Sequence, residues 1–251
     1  MYRLVVSLLF TVLINYIEHQ CVREMRKTFK KFHGISAIID PSDRELYRRL
    51  LPDVFDMPDK PLVSLTVVEY VHIAAWPLLM SYREGAIALN SLYEDEKGWF
   101  ILDMPVTKGL AAMTGRRIGF PKKRVESIEF VPVRGIWRGE VAADGKDMFS
   151  VDLSPDEAYP RFEHDRPTCT VPAPVLEASH LVRPPRVGSK PRRAWLQVRS
   201  VVRETPMLPG TAQVSVDASE DWAPLIDETR SWPGVYFQFW GGASISHRSL
   251  G

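Results

Sequence analysis

The chain has 251 residues, of which 45% are hydrophobic and 25% are charged. This composition is typical of a globular protein and excludes disordered, collagen-like and coiled-coil chains. Lysine and arginine outnumber aspartate and glutamate by only 32 to 31, so no overall positive field attracts nucleic acid, and no nucleic-acid partner is expected.

Residues 1–32 are interpreted as an N-terminal extension that is first apolar and then basic. Residues 4–14 resemble the hydrophobic region of a signal peptide. They are shorter than the roughly 20 residues of a membrane span, and no small-residue cleavage site follows. We interpret them as a packing helix or an extension ahead of the true start, with a signal anchor or a cleaved signal as alternatives. The expected location is the cytoplasm, with no membrane partner unless residues 4–14 act as an anchor.

The first predicted element after this extension is a short amphipathic helix over residues 42–51. Ser42 and Glu45 form a capping box ahead of a leucine-rich run, which is typical of a helix start. Residues 62–76 are rich in valine, isoleucine and tyrosine and predict a long strand that bends near His72.

The next predicted elements are a β-hairpin and a second helix. Residues 84–93 and 99–104 are apolar runs, and the charged segment 94–98 between them predicts a hairpin with a solvated loop. Residues 107–117 contain good helix formers, and Gly119 stops the predicted helix.

Strands predominate in the rest of the chain. Residues 154–193 hold eight prolines and predict a long connection with little regular structure. About nine strands and two short helices favour a barrel or a pair of packed sheets. The strands predicted after the second helix cover residues 127–133, 136–142, 148–153, 194–204, 211–217 and 235–240.

Motifs of the common catalytic sites are missing from the sequence. It contains no phosphate-binding P-loop, no nucleophile elbow, no HExxH motif and no Gly-rich dinucleotide fingerprint. The six histidines are far apart and lack the spacing of metal ligands, so no metal site is expected.

One local feature is unusual, because Lys122 and Lys123 directly follow the turn Phe120-Pro121 among apolar surroundings. A basic run of this kind is usually a solvated face or a phosphate-binding patch. The alternative is an activated amine. A lysine is normally protonated at neutral pH, but burial and a neighbouring cation both favour the neutral form. A neutral lysine can attack a ketone and form an imine.

This motif and its neighbours resemble the acetoacetate decarboxylase family. The family's hallmark is a Gly-Arg-Glu segment that runs into an aromatic-Pro-Lys-Lys motif. Here the first part reads Gly-Arg-Arg over residues 115–117, and the second reads Phe-Pro-Lys-Lys over residues 120–123. The resemblance extends over roughly residues 33–247. Further matches occur in order at residues 43–52, 61–63, 82–85, 210–214, 222–225 and 236–237.

The resemblance implies a mainly β fold of the α+β class. We expect one antiparallel β-barrel-like domain over residues 33–251, with a few short helices and the acetoacetate decarboxylase-like fold. It also implies that the protein forms a homo-oligomer. The expected ligand is a small oxo-acid substrate, and no metal or organic cofactor is expected.

The resemblance also assigns roles to six residues. Lys122 is the expected Schiff-base lysine, Lys123 is its cationic neighbour, and Glu84 is the carboxylate of a buried pocket. Three further side chains are expected to bind the substrate: Arg116, Arg117 and Phe120.

The implied reaction is the decarboxylation of a 3-oxo acid through a lysine imine. The sequence departs from the family pattern at three places. Arg117 replaces the usual glutamate, the loop from there to Phe120 is one residue shorter, and His33 stands where an arginine is frequent. Related members with a changed pocket acid perform aldolase–dehydratase chemistry on larger 2-oxo acids, so this reaction is an alternative. A non-catalytic small-molecule-binding barrel is another, and a ketone adduct at Lys122 distinguishes the binder from the enzyme.

Overall fold

The computed structural model of the chain describes residues 28–75, 78–156, 178–183, 194–201, 207–240 and 244–250. Two helices, α1 (Arg44–Leu50) and α2 (Gly109–Ile118), and a short 3-10 turn (Ala223–Leu225) interrupt a large sheet in this part of the chain. The strands are β1 (Thr28–Ile39), β2 (Val63–Ala75), β3 (Leu78–Tyr93), β4 (Glu96–Val106), β5 (Lys122–Arg124), β6 (Ser127–Val133), β7 (Ile136–Ala143), β8 (Lys146–Pro155), β9 (Ala178–Arg183), β10 (Ala194–Val201), β11 (Met207–Val216), β12 (Trp232–Trp240) and β13 (Ser244–Ser249).

All these strands belong to one sheet, with the order β13-β10-β9-β4-β3-β2-β1-β12-β11-β8-β7-β6 and with β5 beside β4. The pairing is antiparallel except where β4 pairs in parallel with β5 and β9. The prediction of a mainly β, largely antiparallel fold is confirmed. The described strands do not hydrogen-bond into a closed barrel, because this order begins at β13 and ends at β6.

The long strands β2 and β3 form the centre of the sheet. Their pairing shifts register between Tyr70 and Ile73, where the sequence predicted a bend. The predicted hairpin is formed by β3 and β4. Its loop contains only Glu94 and Asp95, shorter than predicted. Both residues have positive φ, 48° and 65°, as a two-residue type I′ turn requires.

The first helix is capped one residue later than its sequence predicts. The Asp43 carboxylate accepts the backbone N–H of Leu46 at 2.8 Å and serves as the N-cap of α1. Ser42 instead donates its hydroxyl to the carbonyl oxygen of Pro224 at 2.8 Å. This contact holds Ser42 against the 3-10 turn, so the predicted capping by Ser42 is wrong.

Helix α2 ends where its sequence predicts. Gly119 adopts φ = 116°, a left-handed conformation that glycine tolerates and that commonly closes a helix. Its N–H bonds to the carbonyl oxygens of Gly115 and Arg116. The chain then turns at once into β5, which brings Lys122 against the edge of β4.

The proline-rich segment contains a strand that was not predicted. Strand β9 pairs with β10 and, in parallel, with Trp99 and Phe100 of β4. The expectation of little regular structure is therefore wrong for residues 178–183, while residues 157–177 and 184–193 lie outside the described residues. Strand β13 was also not predicted, and it pairs with β10.

Strand β1 begins at Thr28 and runs through the expected domain boundary at residue 33. It pairs with β2 on one side and with β12 on the other. The division of the chain into an extension and a single domain stays a prediction, and the apolar residues 4–14 lie outside the described residues. Within the described part of the chain, no helix has the length and hydrophobicity needed to cross a membrane.

Apolar side chains pack on both faces of the sheet. The larger cluster includes Val67, Ile87 and Phe149 and fills one face. The smaller cluster includes Ala88 and Met104 and lies on the other face. Because side chains alternate along a strand, the even-numbered residues of β3 point toward the smaller cluster. The candidate site lies on that face.

Candidate active site

Lys122 is a buried lysine at the start of β5. Lys122 is 8% exposed, and it pairs in register with Met104 of β4. The aliphatic part of its side chain passes close to Gly115 of α2, where a Cβ atom would overlap Lys122 Cδ. The glycine of the family motif therefore leaves the space through which the lysine reaches the interior.

The ammonium group of Lys122 meets a buried carboxylate. Lys122 Nζ forms an ion pair with Glu84 Oε2, and Glu84 is 4% exposed. Lys122 Nζ also donates a hydrogen bond to the hydroxyl oxygen of Tyr82 at 3.1 Å. A buried charge requires an opposite charge and hydrogen bonds, and this arrangement supplies both. Glu84 is also placed to accept a proton from Lys122.

Two tyrosines hold the carboxylate of Glu84. The Tyr82 hydroxyl donates to Glu84 Oε2 and the Tyr70 hydroxyl donates to Oε1, each at 3.3 Å. The two rings stack with centroids 4.8 Å apart. Burial, reinforced by the Glu84 charge, raises the pKa of both phenols well above 10, so both keep their protons at neutral pH.

Phe120 forms the aromatic side of the site. Its ring centroid lies 5.5 Å from Lys122 Nζ, and the Tyr82 ring centroid lies 5.1 Å from the same atom. Phe120 also packs against the smaller apolar cluster. The structure therefore brings together Lys122, Glu84 and Phe120, three of the residues named from the sequence, and it places Tyr82 beside them.

Lys123 is placed differently. Its ammonium group forms an ion pair with Asp103 Oδ2 at 2.5 Å, and its side chain is 45% exposed. Successive residues of a strand point to opposite faces of the sheet. Because Lys122 and Lys123 are adjacent in β5, their side chains point in opposite directions. The cationic-neighbour role of Lys123 has no contact with Lys122 to support it and stays a prediction.

The two arginines of the motif lie in the last turn of α2. Arg116 is exposed and Arg117 is half-buried. Among the residues that the structure describes, neither forms an ion pair with a carboxylate. Their proposed contact with a substrate stays a prediction.

The opposite face of β2 and β3 carries a second charged group, which the sequence did not indicate. Glu69 Oε2 lies 2.9 Å from His33 Nε2, and Glu69 Oε1 accepts a hydrogen bond from Arg83 Nε, also at 2.9 Å. Burial alone would raise the pKa of Glu69, but the hydrogen bonds from His33 and Arg83 outweigh burial and lower it. Burial lowers the pKa of His33 despite the Glu69 charge.

This charged group follows from strand register. His33 pairs with Glu69 across β1 and β2, and Glu69 pairs with Arg83 across β2 and β3. A concavity of about 720 Å³ is lined by residues that include Glu69, Arg83 and Lys108. Lys122 does not line this concavity.

The signal for Tyr82 was present in the sequence. Tyr82 lies two residues before Glu84, where the predicted strand begins, and in the observed strand β3 this spacing places both side chains on one face. Tyr70 offers no such signal, since its contact with Glu84 depends on the pairing of β2 with β3.

Several solved structures share this fold. An acetoacetate decarboxylase superposes with a TM-score of 0.69 at 13% identity, covering 90% of this chain and 89% of that chain. An acetoacetate decarboxylase-like enzyme from Sphingomonas wittichii RW1 gives 0.66 at 15% identity, covering 88% and 91%. The enduracididine biosynthesis enzyme MppR, in complex with the condensation product of pyruvate and imidazole 4-carboxaldehyde, gives 0.65 at 18% identity, covering 88% and 87%.

No curated protein matches the chain. The family model described as acetoacetate decarboxylase matches residues 25–227, which is most of the chain and includes both Lys122 and Glu84. The chain therefore belongs to the acetoacetate decarboxylase family.

Proposed function

We propose that the protein is a lyase that forms an imine between Lys122 and a small oxo acid. The observation that carries this proposal is the buried ammonium group of Lys122 in contact with Glu84 and Tyr82. A buried lysine whose partner can take its proton can become a neutral nucleophile without an external base. Family membership supports the same chemistry.

The first step in this proposal is a proton transfer from Lys122 to Glu84. The neutral amine then attacks the carbonyl carbon of the oxo acid, and loss of water gives an iminium ion. The three donors around Glu84 fix the position of its carboxylate, so that it is oriented before the substrate arrives.

Decarboxylation follows from the electron demand of the iminium ion. In a 3-oxo acid, the bond to the departing carboxylate breaks and its electron pair moves toward the positively charged nitrogen. Carbon dioxide leaves and an enamine forms. Protonation of the enamine carbon and hydrolysis of the imine release the ketone and regenerate Lys122.

Aldolase–dehydratase chemistry on a larger 2-oxo acid is the second candidate. Two observations favour it. Arg117 replaces the acid of the family motif, and MppR, a structural neighbour, was solved with a condensation product of pyruvate. Both reactions pass through the same imine, so Lys122 and Glu84 keep their roles.

Borohydride reduction with a panel of oxo acids, followed by intact-mass and peptide analysis, tests the proposal. Reduction converts an imine into a stable amine and leaves the bound carbon skeleton as added mass. We expect an adduct on Lys122, and its mass identifies the preferred acid and what remains attached after turnover. The Lys122→Gln variant is the control and should gain no mass. No adduct with any acid would favour a non-catalytic binding protein.

A further inference from the structure

The hydroxyl group of Tyr82 lies between the two groups that imine chemistry requires. Its oxygen is 3.1 Å from Lys122 Nζ and 3.3 Å from Glu84 Oε2. Tyr82 is buried, and its side chain projects from the same face of β3 as that of Glu84. It therefore contacts both the nitrogen atom that would become the imine and the carboxylate that would take its protons.

Tyr70 provides an internal comparison for Tyr82. Both rings are buried, they stack on each other, and both hydroxyls donate to Glu84. Only the Tyr82 hydroxyl also contacts Lys122 Nζ. The two residues therefore share the ring stacking and the hydrogen bond to Glu84, and the structure describes a contact with the reacting nitrogen for Tyr82 but not for Tyr70.

The Tyr82 hydroxyl keeps its proton at neutral pH. Burial and then the charge of Glu84 raise its pKa well above 10. A phenol of this kind is not a phenolate before the reaction begins, so it cannot itself serve as the general base. It can give its proton to a developing oxyanion only if another group returns a proton to it, and Glu84 is in hydrogen-bond contact to do so.

We propose that Tyr82 is a further catalytic residue, which passes protons between Glu84 and the substrate's carbonyl oxygen while Lys122 forms the imine. This inference rests on the proposed function. When the Lys122 nitrogen bonds to the carbonyl carbon, the C=O electron pair moves to oxygen. That oxygen takes the Tyr82 proton, and Tyr82 takes the proton that Glu84 received from Lys122.

Loss of water repeats the relay. The nitrogen of the carbinolamine gives a proton to Glu84. The C–O bond then breaks as the nitrogen lone pair forms the C=N bond, and the leaving hydroxyl takes a proton through Tyr82. The products are an iminium ion, one water molecule and a Glu84 carboxylate, so charge and atoms balance without an added reagent.

The test compares Tyr82→Phe with Tyr70→Phe, since each change removes one buried hydroxyl and keeps the ring. Pyruvate and acetoacetate are mixed with each protein, and borohydride quenches the reaction at successive times. We expect Tyr82→Phe to slow adduct formation by about 100-fold, within the usual range for general acid–base catalysis. The oxo-acid concentration that gives half-maximal rate should change little. Tyr70→Phe should slow adduct formation by less than about fivefold, since its hydroxyl does not touch the reacting nitrogen.

The other outcomes each overturn a defined claim. Equal rates in Tyr82→Phe and the parent, or equal slowing in both variants, overturn the relay and leave the proposed function standing. No adduct in the parent with either acid, or with any acid of the panel, overturns the proposed function and the relay with it. The parent supplies a measurement that needs no variant, because relayed protons make adduct formation slower in D₂O. A parent rate that is the same in both solvents overturns the relay.

Discussion

Lys122 and Lys123 are neighbours in the sequence, but their ammonium groups form ion pairs with two different carboxylates. Lys122 Nζ contacts Glu84 inside the protein, whereas Lys123 Nζ lies 2.5 Å from Asp103 in a partly exposed position. Strand alternation causes this separation. The paired lysines of the motif therefore supply one buried cation and one surface cation.

We expect Lys123→Gln to have only a small effect on imine formation. The charge of Lys123 is balanced by Asp103, and water screens its partly exposed ammonium group. Borohydride trapping at pH 7 should show adduct formation on Lys122 slowed by less than about threefold. This limit corresponds to about 0.7 kcal/mol in the activation free energy, since a tenfold change in rate corresponds to about 1.4 kcal/mol. A much larger loss that is recovered at alkaline pH would instead support Lys123 as the cationic neighbour.

Gly115→Ala should disturb the site through packing alone. A Cβ atom at this position overlaps the Lys122 side chain. Overpacking of a buried position usually costs about 1–3 kcal/mol. We therefore expect a lower free energy of unfolding in urea together with a loss of adduct formation.

Gly109→Ala is the matched control on the same helix. A Cβ atom there would lie 4.0 Å from Arg124 Cδ, an ordinary contact distance. Unfolding and adduct formation should both stay near the parent's. Equal effects of the two substitutions would show that the space beside Lys122 is not what Gly115 provides.

The local elements of the fold were predictable from the sequence, whereas its distant pairings were not. The stop of α2 at Gly119 and the hairpin between β3 and β4 depend on residues close together in the chain. Strand β9 depends on pairing with β4 and β10, which no local pattern encodes. Strand β13 depends in the same way on β10.

The same distinction applies to the candidate site. Lys122 and Glu84 were named from two separate segments that resemble the family, and the structure places their side chains in contact. The placement of Lys123 could not be predicted until β5 was known to be a strand. Adjacent side chains point to opposite faces in a strand but not in a helix. The contact of Glu69 with Arg83 needed the register of β2 against β3.

Acid should weaken the fold through His33 and Glu69. The pKa of His33 in the folded protein lies below its ordinary 6.5, so between the two values the unfolded chain binds more protons and stability falls as pH falls. The pKa of Glu69 lies below its ordinary 4.5, so its contribution is lost as pH falls below 4.5.

Urea unfolding of the parent and of His33→Gln at pH 7.5 and pH 5.5 measures the histidine's part. The parent should lose more stability than the variant over this interval, because the unfolded chain binds more protons at His33 than the folded protein does. A loss of the same size in both proteins would assign the acid sensitivity to other groups.

Arg117 stands where the family motif carries an acid, and it lies half-buried in the last turn of α2. A guanidinium group there favours a bound carboxylate, because its planar donors match the two carboxylate oxygens. If it holds the carboxylate that must depart as carbon dioxide, it stabilises the ground state and does not lower the barrier. On this argument we expect the arginine to favour acids whose carboxylate is retained.

We expect the parent to decarboxylate acetoacetate slowly and Arg117→Glu to do so about tenfold faster, since removing roughly 1.4 kcal/mol of ground-state stabilisation has that effect. Adduct formation with a longer 2-oxo acid should weaken in the same variant. Arg49→Glu is the matched control, because it makes the same charge change at an exposed position in the last turn of the other helix, α1. Carbon dioxide release and trapped adduct mass measure both effects. Fast acetoacetate decarboxylation in the parent, unchanged by Arg117→Glu, would show that this arginine does not contact the departing carboxylate.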